Sequence, residues 1–350
     1  MTTKAQVIKR MGWNMVIFAG LIALTFWFVF RDQDIGRVFG IITEANVWWI
    51  LVGVGVMLLH FMVEAYNVMR ILHSFGENIG FWQSLKFALI GFFFCAITPG
   101  ASGGQPMEIY YMTKEKISGA NATMALMIQV CGVQVAIMVL GVLGALICPE
   151  ALTGGALWLF WIGFVINGVA LVVLLVCVLR PQLARRIVEG VLGVVKFAGV
   201  KRLEVKRGRI EEGLRNYEKS SRYIKEHKGE FVMAILRAVV QTALMFGVTY
   251  CVYLAFGLEG MNIFQVMAMQ AILYMGTSAM PIPGAVGISE TLFLATFGAV
   301  FGAGLLDSAM LLVRGVSFYW FVILGMVVVF INAVRMKNVK GEIDKELQSS

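Results

Sequence analysis

The chain has 350 residues, of which 59% are apolar and 14% charged, with a net charge of +8. An average soluble domain carries roughly 25% charged residues, and a soluble fold could not hide this much apolar surface. A soluble enzyme, a disordered chain, a low-complexity Pro-rich chain and a disulfide framework are excluded, which leaves a polytopic membrane protein. The apolar runs have helix length for a hydrocarbon core of about 30 Å, whereas a barrel would show alternation over ~10 residues. The fold class is therefore all-α.

Lys4, Lys9 and Arg10 precede the first apolar run, Gly12–Phe30. Arg31-Asp32 follows with no small-residue cleavage site, so the run is a retained span with its N-terminus inside. A second span covers about Val47–Met69. The stretch 81–113 is broken by Pro99-Gly100-Ala101-Ser102-Gly103-Gly104-Gln105-Pro106. Spans at about Ala122–Ile147 and Gly155–Leu179 come next. Residues 180–230 then hold 14 basic and 7 acidic residues, nearly the whole charge excess. Leu183, Ile187, Val191, Val194 and Ala198 recur at helical spacing, as do Ile210, Leu214, Tyr217 and Ile224. That pattern predicts two amphipathic helices on the inner leaflet. A span at about Phe231–Phe256 follows. The stretch 263–302 is broken at Pro281-Ile282-Pro283-Gly284-Ala285-Val286-Gly287, and a last span covers about Ser308–Val334.

Charge parity orders these pieces. Basic loops mark the cytoplasmic face. Arg70, Lys114 and Lys116 then lie inside, so 81–113 enters and leaves from the cytoplasm. The +7 stretch 180–230 also lies inside, as does Arg335, so 263–302 enters and leaves from outside. Trp27, Trp48, Trp49, Trp158 and Trp161 fall at the outer boundary and Trp82 at the inner one, as aromatic belts do. The expected architecture is about six full transmembrane helices plus two re-entrant broken-helix hairpins in inverted repeats. Its units are residues 1–179 with the first hairpin, the basic segment 180–230, and residues 231–340 with the second hairpin. Both termini are expected in the cytoplasm, in a cell membrane.

The breaks repeat in sequence. Pro99-Gly100-Ala101-x-Gly103 matches Pro283-Gly284-Ala285-x-Gly287, and a carboxylate follows each, Glu108 or Glu290. Irregular backbone at membrane depth survives only inside protein or beside a water-filled cavity. Two interrupted segments in inverted positions point to a transporter's midplane site. The half-helix N-termini suit an anion, and phosphate is the obvious anion among lipids. A plain packing kink is the alternative.

Ionisable residues inside spans mark functional sites. Glu64 lies one turn after His60 on the same helix face, and Arg314 lies inside the last span near Tyr319. Arg314 could hold a phosphate while the glutamates hold a cationic group or a proton. Arg314 with Glu290 could equally be a structural pair. Gln129, Gln134 and Gln241 read as helix–helix hydrogen bonds, and Arg70 and Arg237 as snorkelling side chains. The five cysteines lie in or beside apolar runs and read as packed thiols. No metal or cofactor motif, nucleophile elbow or nucleotide loop is present, and nucleic acid is not an expected partner.

The run Ile97-Thr98-Pro99-Gly100-Ala101-Ser102-Gly103-Gly104-Gln105-Pro106-Met107-Glu108-Ile109-Tyr110-Tyr111-Met112 resembles the signature of the lysylphosphatidylglycerol synthase transmembrane-region family. That family is the flippase-like membrane part of the multiple peptide resistance factor. Pro281 to Glu290 resembles its second signature, and Arg314 to Tyr319 its last-helix pattern. The resemblance covers about residues 10–335. It implies inverted re-entrant helices that bind or translocate lipids. In the full synthase a separate soluble domain transfers lysine, and that domain is not expected in this sequence, which has about 15 residues after its last span.

The expected function is a lipid flippase that holds an anionic headgroup between the two tips. The expected contacts are Pro99, Gly100, Ser102, Gly103, Gly104, Gln105, Glu108 and Tyr110 from the first hairpin. Pro283, Gly284, Gly287 and Glu290 come from the second, with Arg314, Tyr319 and Glu64 from the spans. A headgroup-modifying membrane enzyme and an ion or small-solute transporter are the alternatives. Membrane lipids are the expected partners. A homo-oligomer and a separate lipid-modifying enzyme are compatible with the sequence. Single-cysteine labelling in a cysteine-free background should reach position 116 from the cytoplasm and position 259 from outside. Labelling of position 116 from outside alone would break the inverted arrangement.

Overall fold

A computed structural model describes residues 35–180, 228–278, 280, 285 and 287–332, with isolated positions between 182 and 226. The first predicted span, most of the basic segment, Pro283, Gly284 and the tail after 332 lie outside the described residues. The described residues form helices and no strand: α1 (Ile35–Glu44), α2 (Val47–Ser74), α3 (Phe81–Ala96), α4 (Gly104–Lys114), α5 (Gly119–Ile147), α6 (Gly154–Leu179), α7 (Lys228–Ala255), α8 (Ile263–Thr277) and α9 (Ile288–Arg314). Helices α2, α5, α6 and α7 are long and apolar enough to cross a membrane. So is the 45-residue stretch Ile288–Asn332. The chain is an all-α polytopic membrane protein.

Local chemistry sets the helix starts. Asn46 accepts from the Trp48 N–H at the head of α2. Asn262 and Gln265 cap each other's backbone at the head of α8, each bond 3.0 Å long. Gly302 interrupts the long last stretch at φ 66° and ψ 163°, where a residue with a Cβ would clash. Residues 288–301 are therefore one arm, and the final span starts after the break. That span passes through a π-helical turn, Gly315–Tyr319.

Contacts at the two ends of the bundle fix the direction of each hairpin. At one end the Asn46 N–H donates to the Ala255 carbonyl at 2.8 Å, joining the start of α2 to the end of α7. Tyr253 accepts there from the Met261 N–H just before α8, and its ring meets Phe301 at 6.1 Å. The second hairpin therefore begins and finishes at this end. At the opposite end Arg70 pairs with Glu230 at 3.5 Å, joining the end of α2 to the start of α7. Gln83 and Lys86 near the start of α3 both bind Glu115 just past α4. The first hairpin therefore begins and finishes there. The hairpins point inward from opposite ends, as the charge parity predicts. The exposed Trp48 and Trp158 lie at the first end and the exposed Trp82 at the second.

Two arginines differ from their expected snorkelling. Arg70 and Arg237 converge on Glu230, and Arg237 also donates to Asn67 and covers the Tyr66 ring at 5.5 Å. Two described residues of the basic segment, Tyr217 and Ser221, are buried against the end of α6. Tyr217 donates to the Cys177 carbonyl at 3.0 Å and Ser221 to the Val178 carbonyl at 2.6 Å.

Small residues let the helices touch. Lipid supplies no hydrophobic force between helices, so close van der Waals approach must hold them. A Cβ on Gly144 of α5 would lie 2.5 Å from the Ala268 carbonyl oxygen of α8. One on Gly132 would lie 2.7 Å from the Ala238 Cβ of α7, and one on Gly325 would lie 2.7 Å from the Leu89 carbonyl of α3. Gly144→Val should lower stability by on the order of 1–3 kcal/mol, the usual cost of overpacking. Gly55→Val, which has nothing within 4 Å, should be near neutral. Thermal unfolding in detergent checks both, and equal melting of the two variants would refute the packing role.

Candidate functional site

The two motifs share one backbone feature among the described residues, a positive φ at their alanine, while their last glycines differ, Gly103 at φ −88° and Gly287 at φ 90°. In the first tip, Pro99–Ala101 forms a short 3-10 turn, with Gly100 at φ 59° and Ala101 at φ 54°. In the second, Ala285 adopts φ 49° and Gly287 φ 90°. Ala101 and Ala285 hold the same place in the two motifs and share a left-handed conformation that alanine rarely adopts. Each tip joins the C-terminus of one half-helix to the N-terminus of the next. Both dipole ends therefore meet at both tips, so the tips do not present the purely anion-favouring surface expected from their N-termini alone.

One donor at the start of each second half-helix is already engaged. Thr98 Oγ1 accepts from the Gly103 N–H at 2.9 Å while donating to the Phe94 carbonyl. Glu290 Oε2 accepts from the Gly287 N–H at 2.6 Å and from Ser289 Oγ at 2.9 Å. Its other oxygen accepts from Arg314 Nε at 2.8 Å and from the Tyr319 hydroxyl at 3.4 Å. Glu290 is 2% exposed. It caps α9 and clamps the second tip to the last span. Arg314 in turn covers the Phe318 ring at 4.2 Å.

Glu108 behaves differently, although it also follows a Gly-rich tip. Glu290 lies three residues past Gly287, close enough to fold back on the cap. Glu108 lies five past Gly103, more than a helical turn, and points toward α3 instead. A Cβ on Gly91 would overlap its carboxyl, so Gly91 provides the notch that Glu108 fills. Glu108 is 6% exposed, and among the described residues no hydrogen-bond donor reaches it.

A cavity of about 370 Å³ lies between the tips. Gly100, Ala101 and Gln105 line it from the first hairpin, and Ala285 and Ser289 from the second. Glu64 and His60 on α2, Glu108 on α4 and Arg314 on α9 face the same space. Gln129, Gln241, Gln270, Tyr274 and Ser317 complete its polar wall, beside apolar residues such as Phe92, Met245 and Phe293. The wall offers an acidic region and one guanidinium, in a size suited to a small polar group.

A chain of buried hydrogen bonds leads away from Glu64. Gln241 donates to Glu64 at 3.1 Å, Gln129 to Gln241 at 2.7 Å, and Asn67 to Gln129 at 2.6 Å. Arg237 donates to Asn67 at 3.4 Å. Every donor in this series points toward the carboxylate. The His60 Nδ1–H donates to the Gln241 carbonyl at 2.7 Å, which turns its Nε2 toward Glu64 at 4.0 Å.

Of the sequence candidates, Gly100, Gln105, Glu64, Glu108 and Arg314 meet at the cavity. Glu290, Tyr319 and Gly287 stand behind Arg314 as its support. Gly103 and Gly104 face inward against Thr98 and Cys95 and allow the hairpin arms to close. Tyr110 and Ser102 are exposed and lie outside the cavity lining. Pro99 contributes its backbone turn. Asn67, Gln270, Tyr274 and Ser317 were missed by the sequence reading. Their one signal was a polar side chain within an apolar run.

The family described as Lysylphosphatidylglycerol synthase TM region matches residues 15–325, and the chain belongs to that family. No curated protein matches the chain significantly. The Glu290 clamp makes a stability prediction. Glu290→Ala should cost on the order of 3–5 kcal/mol, because it strands Arg314 and removes the cap. Glu290→Gln keeps an acceptor for Gly287 and should cost less. A double Glu290→Met, Arg314→Met variant should recover part of the loss. Thermal unfolding of the three variants reads this, and additive losses in the double variant would show that the pair is not coupled.

Proposed function

We propose that the protein carries the polar headgroup of a membrane lipid across the bilayer through the cavity between its two hairpin tips. The observation that carries this reading is a polar cavity at the meeting point of two opposed, interrupted hairpins inside an apolar bundle. Alternating access to such a point moves a polar group past the hydrocarbon region without exposing it to lipid.

The composition of the wall narrows the headgroup. Arg314 suits a phosphate oxygen. Glu64 and Glu108 suit a positive amine. A headgroup carrying both groups fits better than the purely anionic one expected from the sequence. The family description names lysylphosphatidylglycerol, a lipid with a phosphate and ammonium groups. An anionic lipid such as phosphatidylglycerol satisfies Arg314 alone.

A leaflet-resolved assay in proteoliposomes tests this with acyl-labelled lysylphosphatidylglycerol and phosphatidylglycerol. The protein should move the first lipid faster than the second. Glu64→Gln should slow the first about tenfold or more, since a hydrogen bond to a charged group contributes roughly 1.5–3 kcal/mol. Movement of neither lipid above the protein-free background would overturn the reading. A chemically altered lipid product would replace it with the enzyme alternative.

A further inference from the structure

We propose that Glu108 is a proton site whose proton exchanges for the positive group of the headgroup, so that lipid movement is driven by a proton gradient. The proposal rests on the headgroup reading of the cavity. It adds the source of drive.

Three carboxylates lie in or beside the cavity, Glu108 and Glu290 buried and Glu64 partly so, and their surroundings differ. Glu290 has four donors, counted as Gly287, Ser289, Arg314 and Tyr319. Glu64 receives the Gln241 amide, the last link of a series that begins at Arg237. Glu108 is 6% exposed, faces the cavity and has no donor among the described residues. A buried ionised carboxylate without a donor is costly by several kcal/mol. A bound proton removes that cost, and so does an ammonium group. Both would occupy the same oxygens, so they exclude each other.

The exchange balances. The O–H bond of Glu108 breaks and its proton passes to solvent at the open side of the cavity. An N–H···O contact from the arriving headgroup takes its place. On release the carboxylate takes a proton again. The net charge near Glu108 is the same in both filled states, so neither leaves an unpaired charge at membrane depth.

The other groups facing this space are His60 and Glu64 on α2, Cys95 on α3, Tyr274 on α8 and Arg314 on α9. Helices α5 and α7 contribute Gln129 and Gln241, which do not titrate. His60, Glu64 and Arg314 are each tied to a partner, and Cys95 donates to the Ala101 carbonyl at 3.4 Å. Glu108 is the carboxylate left for exchange. The Gly91 notch holds it beside the first tip, where a change in its charge acts on the headgroup directly.

The test uses the full chain in proteoliposomes with acyl-labelled lysylphosphatidylglycerol, the membrane potential being clamped. One exchanged proton per lipid makes one pH unit worth about a tenfold shift in the steady-state leaflet ratio. The wild type should show that shift, and Glu108→Gln should show none at any gradient. Infrared spectra of the purified wild type at neutral pH should contain a protonated-carboxyl band. The band should vanish in Glu108→Gln and persist in Glu64→Gln. Lipid movement that ignores the gradient, or a wild type without the band, would overturn the proton site while leaving lipid transport standing. A band that follows Glu108 in a protein that moves no lipid would overturn the transport reading instead.

Discussion

Glu290 ties the half-helix after the second tip to the last span. One carboxylate takes the N–H of Gly287 just before α9, a serine hydroxyl and the Arg314 guanidinium. The described start of that half-helix is thereby held by the last span. Interrupted helices at membrane depth are tolerable only with such partners. Thr98 performs the corresponding service in the first tip with a hydroxyl instead of a charge. The two motifs therefore share a positive φ at their alanines and cap the following half-helix differently. That difference frees Glu108 for the cavity and leaves Arg314 held at its edge.

Much of the fold was legible because its signals are local. Span length, Pro-Gly interruptions and basic loops can all be read within a few residues, and they are enough to order the helices and invert the hairpins. The repeat was legible at Pro99 and Pro283, and the described backbone repeats it at Ala101 and Ala285. The division of labour among the glutamates was not. Glu108 and Glu290 look alike in sequence, and only the offset from the preceding glycine separates a cap from a cavity wall. Tyr110 belongs to the same signature as Glu108 but lies two residues on, toward another face of α4. Asn67 meets Gln129 and Arg237 from distant parts of the chain, which no local pattern reveals.

The series from Arg237 to Glu64 joins α2, α5 and α7 through buried amides. In a low-dielectric interior such a series is strong when every member is satisfied and costly when one is not. Neither hairpin contributes a side chain to it. The three helices thus form a frame against which the tips are set. Within that frame the hairpins have their own ties. Ser84 donates to the Ala65 carbonyl at 2.7 Å, and Ser278 contacts Asn167 near the second tip.

The size of the cavity bears on the rest of a lipid molecule. About 370 Å³ can take a headgroup, but not two acyl chains as well. On the proposed reading the chains stay in the surrounding hydrocarbon while the polar end travels inside the protein. Tail length and unsaturation then lie outside what the protein can inspect. Its choice of cargo is made at the glycerol and beyond, and a cell could remodel its acyl chains with temperature without losing the carrier's service.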